Sequence, residues 1–213
     1  MRLLIPFVLT LLAGRAEDLA VEALKEAAPA EVAEVIRKDL APAGFRIHRA
    51  GKPFADFWFR TTLPTAEARQ GLGILYATLK SGGLVGVARF HGGGSDFKAQ
   101  KFPAGLYTMR YAVQPEDGDH QGVTESRDFL LLCPVATDPS AEPMEFKELN
   151  KLSARVNGKK HPAVLYLVAG QGGTLPRIVK DETAERSVFE CEAPGAGGKP
   201  LRLSIVIVGK AAE

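Results

Sequence analysis

Hydrophobic and polar residues alternate over much of this chain, which predicts short β-strands with one buried face. The alternation is clearest from Tyr107, in a strand that starts at Phe102, and apolar side chains recur there at every second position up to Val113. A polar stretch over 114–127 follows, and a second apolar run then covers 128–135. We therefore expect a strand, a long polar loop and a second strand. The apolar face of the first strand consists of Tyr107, Met109, Tyr111 and Val113.

Six other segments have the strand pattern and are mostly bounded by glycine, proline or asparagine. They cover 45–48, 53–60, 84–91, 163–168, 186–192 and 201–208. With the central pair they make eight strands. The first two, separated by the turn at 50–52, have the pattern of a hairpin.

Helical patterns occur in three places. Residues 18–28 are rich in Ala, Leu, Glu and Lys, which favour helices. Residues 31–40 place Val32, Val35, Ile36 and Leu40 at the spacing of an amphipathic helix. Residues 145–156 repeat that spacing and end at Asn157-Gly158, a typical helix stop. We therefore expect a helical segment over 17–43 and an inserted helix near 145–156.

The order of these elements predicts the fold class. Helices do not alternate with strands as a βαβ fold requires, and no internal repeat or long linker divides the chain. The 14 prolines and 22 glycines favour many turns and short strands. We expect a mainly β protein, with a single antiparallel β-sandwich of jelly-roll or immunoglobulin-like type over 44–213 and the helical N-terminal segment packed on it.

The N-terminus has the pattern of a secretory signal peptide over 1–16. A positive Met1-Arg2 precedes the apolar run 3–12, and small residues at 14 and 16 predict cleavage after Ala16. A membrane anchor is the alternative, but the run is half of the roughly 20 residues that a membrane span needs. We expect a secreted or periplasmic protein without an integral membrane span after cleavage.

Charge narrows the range of partners. Of the 27 lysines and arginines, two lie in the predicted leader, which leaves 25 basic against 25 acidic residues. A net charge near zero argues against nucleic acid, which requires a clustered positive excess. Small molecules, glycans and envelope proteins remain as partners.

The polar loop holds the densest group of metal-ligating residues in the chain. Carboxylates and one imidazole can bind a divalent metal ion, the only cofactor that the sequence suggests. The EF-hand pattern is absent, and a zinc site would need a second histidine, for which His91 and His161 are candidates. A solvated acidic turn remains the alternative. The predicted metal ligands are Glu116, Asp117, Asp119 and His120.

The same loop is the best candidate for an organic ligand. Asp117, Asp119 and His120 are its polar groups, and Arg127 stands at the start of the second strand. Trp58, in the aromatic strand over 53–60, is a candidate surface for stacking a sugar, with a core tryptophan as the alternative.

Catalytic motifs are absent. The chain contains no GxSxG nucleophile elbow, no HExxH zinc motif and no phosphate-binding GxxxxGK[ST] loop. Paired carboxylates such as Asp117 or Asp119 with Glu125 need a defined separation for hydrolysis, which sequence does not provide. Whether the protein is an enzyme therefore stays open.

Two cysteines, Cys133 and Cys191, both lie in predicted strands. In an exported protein two cysteines favour one disulfide, if their strands are neighbours. Two buried free thiols are the alternative.

Several segments give the chain a resemblance to a group of exported bacterial proteins of unknown function. They are 56–58 (DFW), 86–90 (GVARF), 102–111 (FPAGLYTMRY) and 117–120 (DGDH), within the span 43–168. The resemblance implies an exported β-sandwich and brings no reaction or catalytic residue. We therefore expect an exported, non-enzymatic binding module, with a metal-dependent enzyme or metal-binding protein as the alternative.

Overall fold

The computed structural model describes residues 18–96, 99–115, 124–158, 161–195 and 199–209. Over these residues the protein is mainly β. The strands are β1 Leu19–Leu24, β2 Gly44–Arg49, β3 Lys52–Phe59, β4 Leu84–Phe90, β5 Gly94–Ser95, β6 Lys101–Phe102, β7 Gly105–Val113, β8 Asp128–Pro134, β9 Val164–Tyr166, β10 Arg177–Asp181, β11 Arg186–Pro194 and β12 Pro200–Val208. The helices are α1 Glu34–Arg37 and α2 Phe146–Ala154, with a 3₁₀ turn at Val135–Thr137.

A large curled antiparallel sheet dominates the fold. Its strand order is β1-β2-β3-β4-β7-β8-β9, and a three-stranded sheet has the order β10-β11-β12. A bridge between Leu167 and Ile205 joins the β9 edge to β12. At the other edge, β1 contacts β10. Both edges of the large sheet therefore approach the small one.

The main core includes side chains from both of these sheets. The rings of Phe57 on β3 and Phe189 on β11 lie 5.3 Å apart. Around them pack further buried aromatic and aliphatic residues from β2, β4, β7, β8 and β12. Burying large aromatic rings is a major favourable contribution to folding, since each removes a large apolar area from water.

The prediction of a central strand pair is confirmed by β7 and β8, which pair from Tyr107↔Pro134 to Val113↔Asp128. The expected apolar face of β7 is buried. The opposite face is buried too, including Thr108 and Arg110. Segment 138–142 lies over this second face, where its backbone carbonyls and Asp138 accept hydrogen bonds from Arg110.

The prediction of N-terminal helices is wrong for 18–28, where β1 lies. All six residues of β1 pair with β2, and both Leu19 and Leu24 are buried. The pairing partner outweighs a modest helix propensity, as tertiary contacts commonly do. Helix α1 is a single turn within the predicted 31–40, while α2 confirms the helix near 145–156.

The predicted disulfide is also wrong, because Cys133 and Cys191 are both free and buried. Cys133 lies on the side of the large sheet covered by α2. Cys191 faces the main core from β11. The two strands are not neighbours in any sheet, so the condition for the disulfide is not met.

Both thiols should be unreactive in the folded protein. Burial raises the pKa of Cys133 to about 12 and also raises the pKa of Cys191, so neither forms the nucleophilic thiolate at neutral pH. We expect a thiol reagent to label neither cysteine in native buffer and both in denaturant. Rapid labelling of the native protein would contradict this placement.

Among the described residues, no helix is long and apolar enough to cross a membrane.

Candidate functional site

The four predicted metal ligands lie outside the described residues. They are Glu116, Asp117, Asp119 and His120. The residues that flank the acidic loop lie at the end of β7 and the start of β8. The N–H of Gln114 donates to the carbonyl of Arg127 at 2.8 Å. The Arg127 guanidinium donates back to the Gln114 carbonyl from Nε (2.9 Å) and Nη2 (2.6 Å). Arg127, predicted to bind a ligand, thus holds the base of the loop together.

Neither His91 nor His161 lies at this end of the sheet. His91 follows β4 at the level of Gly105, whereas the acidic loop follows Val113 at the other end of β7. At about 3.3 Å per residue those eight steps span about 26 Å. His161 precedes β9, whose first residue pairs with Leu131, so it lies toward the far end of β8. The strand register therefore does not support a metal site in which His91 or His161 joins the acidic loop. The described residues contain no group of three metal-ligating side chains.

Trp58 is 2% exposed. Its indole N–H donates to the Glu26 carbonyl at 2.8 Å, and its ring packs with Leu24, Val32 and Ile36 beneath the N-terminal segment. The structure therefore places the ring in a core, where it is not available for stacking a sugar.

A hairpin over 65–79 contributes a feature that the sequence patterns did not reveal. Its stem is formed by a bridge between Thr65 and Leu79 and by backbone hydrogen bonds farther up. At its tip Leu72 is 91% exposed and Leu75 is 45% exposed. Gly73 has φ +73°, a conformation that favours glycine. We call residues 71–75 the hairpin tip.

The hairpin tip is anchored by the buried carboxylate of Asp128. Asp128 Oδ2 accepts the Leu75 N–H at 2.8 Å, and Oδ1 accepts the Tyr76 N–H at 3.1 Å. The Tyr111 hydroxyl donates to Oδ1 at 2.5 Å. Burial, together with this bond to a carboxylate, raises the pKa of Tyr111. The two amide bonds fix the hairpin to the first residue of β8, and the Tyr111 bond holds the same carboxylate from β7.

Tyr76 extends the anchor to the junction between the sheets. Its hydroxyl donates to the Val168 carbonyl at 3.2 Å and accepts the Ser204 N–H at 3.0 Å. Burial raises its pKa to about 12, so the hydroxyl stays a hydrogen-bond donor at any physiological pH. The hairpin is therefore bonded to β8, to the segment after β9 and to β12.

The hairpin tip contacts Arg127, which flanks the predicted acidic loop in the chain. The Arg127 N–H donates to the Gly73 carbonyl at 2.7 Å. The turn after β10 also reaches this region, since Arg186 bonds both Glu125 (3.0 Å) and Asp181 (2.9 Å). We define the tip surface as the hairpin tip with Glu125 and Arg127. The one sequence signal that points to it is an apolar residue between two glycines, Gly71-Leu72-Gly73.

Two other polar clusters have a structural explanation. Asp56, buried on β3, is held by Arg46 at 2.7 and 3.0 Å and by His91 Nε2 at 3.0 Å. Glu190, buried on β11, accepts hydrogen bonds from Arg177 and from the Gln171 N–H, both at 2.8 Å. Each buried carboxylate is thus paired with a cation, as buried charges require.

Asp56 makes the stability depend on pH. Burial alone would raise its pKa, but the hydrogen bonds from Arg46 and His91 more than offset this, and the pKa is lowered. A lowered pKa contributes stability above the unfolded-state value, and that stability is lost as the pH falls through the folded-state value. We expect the free energy of unfolding in urea to fall below about pH 4, with a shallower fall in Asp56→Asn. Glu34→Gln, which changes an exposed carboxylate, should retain the wild-type profile. Identical slopes for Asp56→Asn and wild type would contradict this role.

Comparison with protein-family models, with curated proteins and with solved structures finds no match to this chain.

Proposed function

We propose that this protein is an exported, non-enzymatic binding module that recognises a small ligand, a glycan or an envelope protein through its tip surface. The observation that carries the proposal is the exposure of Leu72 on an anchored hairpin. Export rests on the signal-peptide pattern over 1–16. Loops held by a rigid sheet are a common location for binding residues.

The architecture that we propose is a β-sandwich, with the three-stranded sheet as its second layer. The Phe57–Phe189 ring contact between the sheets supports this two-layer arrangement. In both sheets the neighbouring strands follow one another in chain order, apart from the β5-β6 ribbon between β4 and β7. The proposed sandwich is therefore a meander, without the Greek-key order of the jelly-roll or immunoglobulin-like type expected from the sequence.

The hairpin tip can supply part of the free energy of recognition, since even millimolar affinity requires about 4 kcal/mol. Full burial of a leucine side chain contributes about 1.5–3 kcal/mol. Binding normally costs ordering of loops at the interface. Because Asp128 and Tyr76 already hold the hairpin, little of that cost remains for the tip.

Replacing Leu72 by serine tests this function. We expect Leu72→Ser to weaken binding by about 10- to 100-fold with unchanged stability, which is the burial free energy of one leucine. Val35→Ser is the matched control, because Val35 is also exposed (54%) but lies on α1. Binding is measured against a glycan array, purified peptidoglycan and a solubilised envelope fraction. If Leu72→Ser binds a wild-type target as strongly as Val35→Ser does, the tip surface is not the binding site.

A metal-binding role for the acidic loop is the second proposal, because its three carboxylates and one imidazole are ligands that divalent ions take. A divalent ion that binds only the folded state should raise the unfolding midpoint, and a chelator should reverse the rise. The rise should vanish in Asp119→Ala and in His120→Ala. No response to Ca²⁺ or Zn²⁺ in the wild type would exclude the metal role and leave the tip proposal intact.

A further inference from the structure

We draw no further inference here: the strongest candidate, the pair of partly exposed arginines Arg177 and Arg202 beside the loop over 169–176, is accounted for by its hydrogen bonds to the buried Glu190 carboxylate and the Gly173 carbonyl, and nothing in the described residues points to a ligand for it.

Discussion

Replacing Asp138 by alanine should lower the free energy of unfolding by about 3–5 kcal/mol, because it leaves Arg110 buried without its counter-charge. Both side chains are fully buried. Arg110 bonds Asp138 through Nε and Nη2, each at 2.7 Å. The measurement is equilibrium unfolding in urea at pH 7.

The remaining donors of Arg110 explain why the loss is large. They reach the carbonyls of Gly82 (2.9 Å), Ser140 (2.6 Å) and Glu142 (2.8 Å), so one guanidinium joins three segments. Removing Asp138 destabilises all of these contacts, because a buried charge without a partner raises the free energy of the folded state.

Two further variants distinguish the loss of a buried ion pair from the loss of an exposed one. Glu31→Ala removes an exposed partner 3.8 Å from Arg89 and should change the free energy of unfolding by less than about 1 kcal/mol. Replacing Arg110 and Asp138 together by Met and Leu should recover only part of the loss, because no unpaired charge remains but three carbonyls lose a donor. Equal stabilities for Asp138→Ala and Glu31→Ala would contradict a structural role for the buried pair.

Replacing Asp128 by alanine should lower the free energy of unfolding by about 3–5 kcal/mol and release the hairpin tip. The change leaves the Leu75 and Tyr76 N–H groups without their acceptor, and the Tyr111 hydroxyl keeps only the Tyr76 carbonyl at 3.1 Å. Each buried polar group that loses its partner costs about 1–3 kcal/mol. Urea unfolding measures the loss, and hydrogen exchange at the two amides reports the release of the hairpin.

Tyr111→Phe is the control for this variant. It removes the hydroxyl's bonds to Asp128 and to the Tyr76 carbonyl but leaves both hairpin amides bonded to Asp128. It should cost about 1 kcal/mol and leave amide exchange at Leu75 slow. If the two amides exchange at the wild-type rate in Asp128→Ala, other contacts hold the hairpin. If exchange accelerates, target binding should also weaken, because an unanchored tip must be ordered on binding.

The strand pattern was the most informative feature of the sequence. Alternation over 107–113 predicted β7 and the apolar run over 128–135 predicted β8, since such patterns report which side chains face a core. It did not predict that the second face of β7 is buried. Arg110 lies on this second face, and only the tertiary structure brings Asp138 and the backbone carbonyls around it.

The site was predicted only in part. The loop over 116–120 remains a prediction, since it lies outside the described residues. Arg127 lies just before β8 and has a structural role there, since its guanidinium bonds the Gln114 carbonyl just after β7. The hairpin tip was missed because its exposure depends on Asp128, which is 53 residues away from Leu75 in the chain.

Local pattern thus determined the mainly β class, the central strand pair and the helix near 145–156. These properties depend on residues within a few positions of one another, which sequence displays directly. The tertiary structure decided that 19–24 is a strand, that Cys133 and Cys191 are apart, and that Leu72 is exposed on an anchored tip. Each of these depends on which distant segments contact one another. A local sequence pattern does not report the free energy of such long-range contacts.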